Sequence, residues 1–435
     1  MSIFRAYDIR GVYGKDLTDE IMEKIGKTLG TFLEGNKTVC VGYDVRNSSE
    51  SLYKAFSSGL LSTGCNIIFI GLIPNPILYF YSWKNNIFGA YITASHNPKE
   101  WNGLKLVRPD GISFIEELKD LKKIYDSGNF LEGKGQLTED NALEKYKNFL
   151  MDKIGKIKGK IVVESFGATG TIILDMLREF GLEVIGLHDE IDGNFYGFQP
   201  EPKGENMKML RETVKKEGAD FGVAYDCDLD RSVFVDETGK ELNGSMMTPV
   251  FSEYILKKEK GPILVTADCS SEIEKRVKEM GGTVIWWRVG HGFIEQKGME
   301  ENVLFSAEQS SHFWFNKFYH FSDGILTTLM AAKLLSETDE KLSELVNKTK
   351  INPMEKMYID VETDKNKLRI MDEINKKYPD ALNIMDGVKI MLNDTEWVLI
   401  RASQTTPKIN LCIEAKTEDS LKKIREEYTS VINSI

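Results

Sequence analysis

Three stretches of the chain repeat one arrangement of apolar and polar positions. KTVCVGYDVRNSSESLYKAFSSGLLSTGCNIIFIG begins at Lys37, GKIVVESFGATGTIILDMLREFGLEVIGLH at Gly159 and GPILVTADCSSEIEKRVKEMGGTVIWWRVGH at Gly261. Each opens on a short β-branched run and passes through a polar loop into a segment with apolar residues at helical spacing. Each then meets a glycine and closes on a second apolar run. That is the layout of a β-α-β unit, and its return about every 110 residues predicts three α/β domains of similar build. From about Asn352 the pattern changes. VETDKNKLRIMDEINKKYPD reads as a helix with its run-in, and MDGVKIMLND, EWVLIRAS and INLCIEAKT read as strands. EDSLKKIREEYTSVI reads as a closing helix, and Asp394 marks a hairpin turn. The fold class is therefore α/β: three similar α/β domains, residues 1–145, 146–246 and 247–350, and a smaller C-terminal α+β domain, 351–435. No low-complexity linker separates them, so they are expected to pack around a shared cleft.

Composition narrows the function classes. The 435 residues are 41% hydrophobic and 28% charged, with a net charge of -11. Generic nucleic-acid binding needs a basic surface, so it is disfavoured, and an anionic substrate must find its cations gathered locally. The five cysteines are scattered and form no CxxC pair, which argues against a zinc cage or a disulfide framework. Residues 55–83 carry no charge, but Gly64, Asn66, Gly71, Pro74, Asn75 and Pro76 interrupt them. They read as a helix end, a strand at Asn66–Ile70 and a Pro-Asn-Pro turn, with no membrane span. MSIFRAYDIRG has no apolar signal core. The expectation is a cytoplasmic protein with no membrane partner.

Four polar constellations carry candidate chemistry. Thr93-Ala94-Ser95-His96-Asn97-Pro98 follows an apolar run and exposes a serine beside a histidine; an inert Ser-x-Asn-Pro turn is the competing reading. Asp226, Asp228 and Asp230 alternate along Asp226–Arg231, between the strand-like runs FGVAY and SVFVDE. Three carboxylates at that spacing repel unless a cation gathers them, and oxygen ligands favour Mg²⁺ or another hard cation. An EF-hand is the rival, with Glu237 at its twelfth position, but Arg231 stands where that loop needs glycine. A plain acidic hairpin is the third reading. Arg401, Ser403, Gln404, Thr405 and Lys408 crowd one loop with the donors a phosphate needs; a Ser/Thr-rich turn is the alternative. Glu308 and Ser310, two apart after VLFS, project to one side and suit adjacent sugar hydroxyls. His291, just past a strand, could relay protons or make a structural hydrogen bond.

Taken in order, these pieces resemble the α-D-phosphohexomutase family over essentially the whole chain, and more its phosphomannomutase/phosphoglucomutase branch. FRAYDIRGVYG, VGYDVRNSS and GLIPNP resemble its early landmarks. TASHNPKEWNGLK resembles its phosphoserine loop, DCDLDR its metal loop, AEQSSH its sugar loop and RASQTTPK its phosphate loop. The resemblance implies four domains around a central cleft, the first three with mixed sheets. In this order they carry the phosphoserine, the metal, the sugar-binding and the phosphate-binding loops. It implies a phosphate on Ser95 and one Mg²⁺ held by that group with Asp226, Asp228 and Asp230. It also implies phosphate exchange between the 1- and 6-positions of mannose or glucose through a hexose 1,6-bisphosphate, which serves as activator. Arg10, Lys105 and Arg231 would face the phosphoryl group beside His96, with Lys105 and His291 as candidate bases. Tyr7, Glu308, Ser310 and His312 would meet the sugar, and the Arg401 loop the second phosphate. A monomer or homodimer is expected. Glu308-Gln309-Ser310 also resembles the phosphoglucosamine sugar loop, so phosphoglucosamine mutase is the alternative.

The chain departs from the family pattern at several points. Cys227, Ala307 and Ser311 replace glycines, Gln404 stands where asparagine or glycine is common, and Asp268 replaces a lysine of some relatives. Phe198 stands where many relatives have histidine. The expectation is that Cys227 crowds its loop and renders the enzyme oxidation-sensitive. A non-catalytic sugar-phosphate binder is the reading these changes leave open.

Overall fold

The computed structural model describes residues 3–5, 8–383, 387–403 and 408–435. They fall into two compact units, 1–242 with 311–343, and 243–310 with 344–435.

All three repeats form parallel strand pairs joined by a helix. In the first unit, Thr38–Tyr43 pairs in parallel with Asn66–Leu72 through helix Ser49–Leu61, and Lys160–Glu164 with Glu183–Leu187 through Leu174–Glu179. In the second unit, Pro262–Thr266 pairs with Thr283–Trp287 through Glu272–Glu279. Antiparallel additions make the first two sheets mixed. The first has six strands, with Trp101–Val107 lying antiparallel to both Ile9–Val12 and Phe88–Ile92. The second has five, and its hairpin Phe221–Tyr225/Ser232–Asp236 presents the Asp226 loop at its tip. Glycines let helices Asp19–Phe32 and Ser49–Leu61 touch backbone to backbone: a Cβ on Gly59 would lie 2.0 Å from Glu23 O.

Pro74-Asn75-Pro76 opens the helix Asn75–Asn85 instead of closing a turn. Proline fits a first helical turn, where no intrahelical partner awaits its missing N–H. The C-terminal sheet is antiparallel, in the order Met354–Asp360, Lys408–Glu414, Trp397–Ala402, Gly387–Met391, Leu382–Asn383. Helices Asp364–Lys377 and Glu418–Asn433 cover one face through Ile374, Ile400, Leu411 and Ile424. Its first strand escapes a sequence reading because MEKMYID is an edge whose polar positions do not alternate cleanly. Among the described residues, no helix is long and apolar enough to cross a membrane.

Candidate active site

Strand Phe88–Ile92 leads into the Ser95 loop and Trp101–Val107 leads out. Ser95 sits at φ +49°, in the left-handed region that a non-glycine residue enters only under constraint. Its Oγ donates to Asp226 Oδ2 at 2.9 Å and lies 3.3 Å from His96 Nδ1. Desolvation and the guanidinium groups of Arg231 and Arg10 hold His96 well below the usual histidine range. Arg10, on strand Ile9–Val12, donates to Ala94 O at 3.0 Å and pairs with Asp8 at 2.7 Å. The sheet register thus delivers an arginine from the start of the chain to the residue before the serine.

The Asp226 loop is pinned from several sides. Asn75 N–H donates to Asp228 O at 3.0 Å, Gly324 N–H to Leu229 O at 3.0 Å, and Thr169 Oγ1 to Cys227 O at 2.5 Å. Leu229 at φ +61° reverses the chain between the second and third aspartates. The three carboxylates converge, with one oxygen of each within 4.8 Å of the others, and all three are buried. Burial, Asp230 and Asp228 push Asp226 well above the usual carboxylate range. Against burial, Lys105 and His312 hold Asp230 well below it. Asp228 Oδ1 is buried without a hydrogen-bond partner. Repelling oxygens and an unused acceptor fit a divalent cation ligated by oxygen alone. The flanking elements are antiparallel strands, whereas an EF-hand loop joins two helices.

Cations surround this cluster. Lys105 Nζ donates to Asp228 Oδ2 at 2.7 Å and to Asp230 Oδ2 at 2.6 Å. Burial alone would lower its pKa, but the two carboxylates outweigh it and raise it. Arg231 Nε stands 3.9 Å from Asp226 Oδ2. His312 Nε2 is 3.2 Å from Asp230 Oδ1 and 3.3 Å from Arg231 Nε, so this histidine joins the carboxylate loop. Ser95, His96, Arg10, Lys105, Arg231 and His312 are thereby gathered with the three aspartates in one unit.

The second unit holds the other predicted residues. Glu308 is buried at the end of strand Phe305–Ala307, accepting from Gly290 N–H and Ser310 Oγ, both at 2.8 Å. This brings the His291 segment, which opens helix His291–Glu300, to the sugar-loop carboxylate. Gln309 fastens the loop by accepting from Ser245 N–H at 3.2 Å. Arg401 is the penultimate residue of strand Trp397–Ala402 and is buried, and Ser403 O accepts from Lys367 Nζ at 2.8 Å. Lys408 pairs with Asp360 at 3.1 Å. Tyr7, Gln404 and Thr405 lie outside the described residues.

Comparison with known proteins identifies the family to which the chain belongs. The chain matches Phosphoglucomutase/phosphomannomutase, alpha/beta/alpha domain I, over residues 1–132, domain II over 141–239, domain III over 243–351 and the C-terminal domain over 358–430. It belongs to the phosphoglucomutase/phosphomannomutase family. A Phosphoglucomutase/phosphomannomutase of Thermococcus kodakarensis is 34% identical, covering 98% of this chain and 97% of that protein. A "Probable phosphoglucosamine mutase" of Methanopyrus kandleri is also 34% identical, over 99% and 97%. The crystal structure of a phosphoglucomutase/phosphomannomutase family protein from Burkholderia thailandensis superposes with a TM-score of 0.90 at 26% identity, covering 99% and 97%.

Within this mutase family the chain's unusual residues are accommodated in different ways. Cys227 does not crowd its loop. It packs with Val45, Ala168 and Phe195, and its Sγ donates to Asp44 Oδ2 at 3.4 Å. Burial and Asp44 keep the thiol protonated, so it lacks the thiolate character and access that oxidation needs. Ala307 lies in a strand, where a side chain costs nothing, while Ser311 takes φ +67°. Asp268 accepts from Thr266 Oγ1 at 2.7 Å and stands 3.8 Å from Lys356 Nζ. Sequence reasoning missed Asp44 and Arg46 as site residues. Their signal in the sequence was the Asp-x-Arg of VGYDVRNSS just after a strand-like run; that the pair is dry, and so needs a reason, is visible only in the structure.

Proposed function

We propose that the protein interconverts hexose 1- and 6-phosphates, of mannose, glucose or both, through a phosphate carried on Ser95. The observation that carries this reading is the 2.9 Å contact of Ser95 Oγ with Asp226 inside the buried carboxylate cluster. A phosphate at Oγ would face three aspartates, an arrangement that is stable only with a cation between them. Asp226, Asp228, Asp230 and the serine phosphate would hold Mg²⁺, which would neutralise charge on the phosphoryl oxygens. Arg10, Arg231 and Lys105 add fixed positive charge around the same group. Glu308 and Ser310 take two sugar hydroxyls, and Arg401 with its loop takes the phosphate that is not moving. The Ser95 Oγ–P bond breaks as a bond forms from phosphorus to the sugar oxygen, whose proton passes to a base. Lys105 already donates to two carboxylates, so it acts as a charge partner, and His291 is assigned as the acceptor. The bisphosphate then turns end for end. Its other P–O bond breaks, phosphate returns to Oγ, and the proton goes back to the freed sugar oxygen.

A coupled assay with Mg²⁺ and glucose 1,6-bisphosphate, run on mannose, glucose, glucosamine and N-acetylglucosamine 1-phosphates, tests this reading. Turnover of the first two is expected, with Ser95→Ala slower by about three orders of magnitude or more. Near wild-type turnover by that variant would sink the role of Ser95. Binding without turnover, and no phosphate by intact mass, would favour a non-catalytic binder. A preference for glucosamine 1-phosphate would favour the phosphoglucosamine branch. That second reading is kept by the Glu308-Gln309-Ser310 loop and the 34% identity to the Methanopyrus kandleri protein.

A further inference from the structure

The Arg46 side chain is fully buried and uses all five of its N–H donors. Nε donates to Asp44 Oδ2 at 3.1 Å. Nη1 donates to Pro98 O at 2.6 Å and Trp101 O at 3.0 Å, and Nη2 to Ser95 O at 2.5 Å and Asn97 O at 2.7 Å. One planar group therefore collects four carbonyls of the loop that contains Ser95. Asp44, equally buried, is the counterpart hub. It accepts from Arg46 N–H at 3.0 Å, Ser49 Oγ at 2.5 Å, Thr93 Oγ1 at 2.8 Å and Cys227 Sγ at 3.4 Å. Thr93 Oγ1 in turn accepts from Ser95 N–H at 2.8 Å. Ser95 is thus held on its N–H side through Thr93 and Asp44, and on its C=O side directly by Arg46. The thiol of Cys227 extends the same hub into the carboxylate loop. On its remaining side the Arg46 guanidinium lies 5.2 Å from the Phe195 ring, which shuts water out.

Two physical consequences follow. A serine at φ +49° is strained and persists only where its surroundings over-determine it. The Asp44–Arg46 network supplies five contacts that do so. The network also turns the negative ends of four carbonyl dipoles toward a buried cation, which offsets their charge within the loop that would carry the phosphate.

We propose that Asp44 and Arg46 are the positioning residues of the phosphate-carrying serine. They fix the backbone of Ser95 and its register against Asp226, and touch neither sugar nor phosphate. The inference rests on the reading of Ser95 as the phosphate carrier. Lysine cannot replace Arg46, because its three donors radiate from one atom and cannot span four carbonyls and a carboxylate.

The test compares Arg46→Lys, Arg46→Met and Asp44→Asn with wild type and Ser95→Ala, normalised to folded protein by circular dichroism. Arg46→Lys is expected to lose about 100-fold in kcat, because a displacement near 1 Å at a reacting group has that effect. KM for the hexose phosphate should stay within about threefold, since the sugar contacts are elsewhere. Uptake of phosphate by Ser95 from glucose 1,6-bisphosphate, followed by intact mass, should slow in parallel. Asp44→Asn preserves shape and gives the same split if Arg46→Met does not fold. Wild-type kcat per folded molecule in Arg46→Lys and Asp44→Asn, or a raised KM at unchanged kcat, would overturn the inference. If Ser95→Ala itself turned over normally, the carrier reading would be the one to fall.

Discussion

At Ser311 and Phe166 a side chain holds backbone in the left-handed region, at φ +67° and +50°, and the energetic balance differs between them. Left-handed backbone costs a residue with a Cβ roughly 1–2 kcal/mol. Glycine removes that strain but gives back about 0.4–1 kcal/mol through the entropy of its unfolded chain. Ser311→Gly is therefore expected to be neutral to about 1 kcal/mol stabilising in urea unfolding. Phe166 is fully buried, and truncating such a ring costs about 3–5 kcal/mol, so Phe166→Gly should destabilise despite relieving the same strain. Charge sets a third balance. Asp226 is raised by burial and by its two neighbours, so Asp226→Asn relieves repulsion where no cation is bound. Melting in EDTA should shift upward for Asp226→Asn relative to wild type, while Mg²⁺ affinity by calorimetry falls at least about tenfold. A lower melting temperature in EDTA would mean that the carboxylate is structurally satisfied.

The C-terminal sheet shows what an element can do with its two faces. One is covered by its own helices. On the other, the register aligns Lys356, Lys389, Trp397, Arg401, Cys412 and Glu414. Glu414 is fully buried and accepts from Ser270 Oγ, Ser271 N–H, Ser271 Oγ and Trp397 Nε1. A carboxylate at the start of helix Glu272–Glu279 also meets the positive end of its dipole. Glu414→Gln must turn an N–H₂ group toward donors, and each stranded donor costs about 1–3 kcal/mol, so a loss of at least about 2 kcal/mol is expected by urea unfolding. Lys389 donates to Ala267 O at 2.9 Å and lies over the rings of Trp286 and Trp397, at 4.5 and 4.0 Å. Burial outweighs Glu414 and holds it down at about 8, against 10.5 ordinarily. The unfolded chain then binds more protons than the folded one between these values, so stability rises with pH across that window. Comparing unfolding at pH 8 and pH 10 with Lys389→Met checks the sign: the variant should lack that part of the rise.

For the whole molecule, metal linkage gives the broadest test. Mg²⁺ at 100 times its dissociation constant should stabilise by about 2.7 kcal/mol, and EDTA should remove that increment, with no such response to Mg²⁺ in Asp228→Ala. Much of this molecule was legible in the chain itself. Periodicity located three parallel β-α-β units, because strand and helix spacings are local properties of a sequence, and charge spacing located the three aspartates, because repelling neighbours need a cation. What local spacing cannot encode is which loops meet. Strand register alone placed Arg10 beside Ala94, and the hairpin at Asp226 reached Ser95 only because the chain brings two sheets together within one unit. The sequence determined the three repeats and the candidate chemistry, but not the edge strand Met354–Asp360 or the helix that Pro74-Asn75-Pro76 opens. Only the tertiary structure decided that Cys227 is a packed donor to Asp44, that Lys105 is an ion-pair partner, and that Arg46 closes around the Ser95 loop. Such contacts span from tens of residues to more than a hundred and depend on burial, which strips water from a charge and makes one well-placed partner decisive.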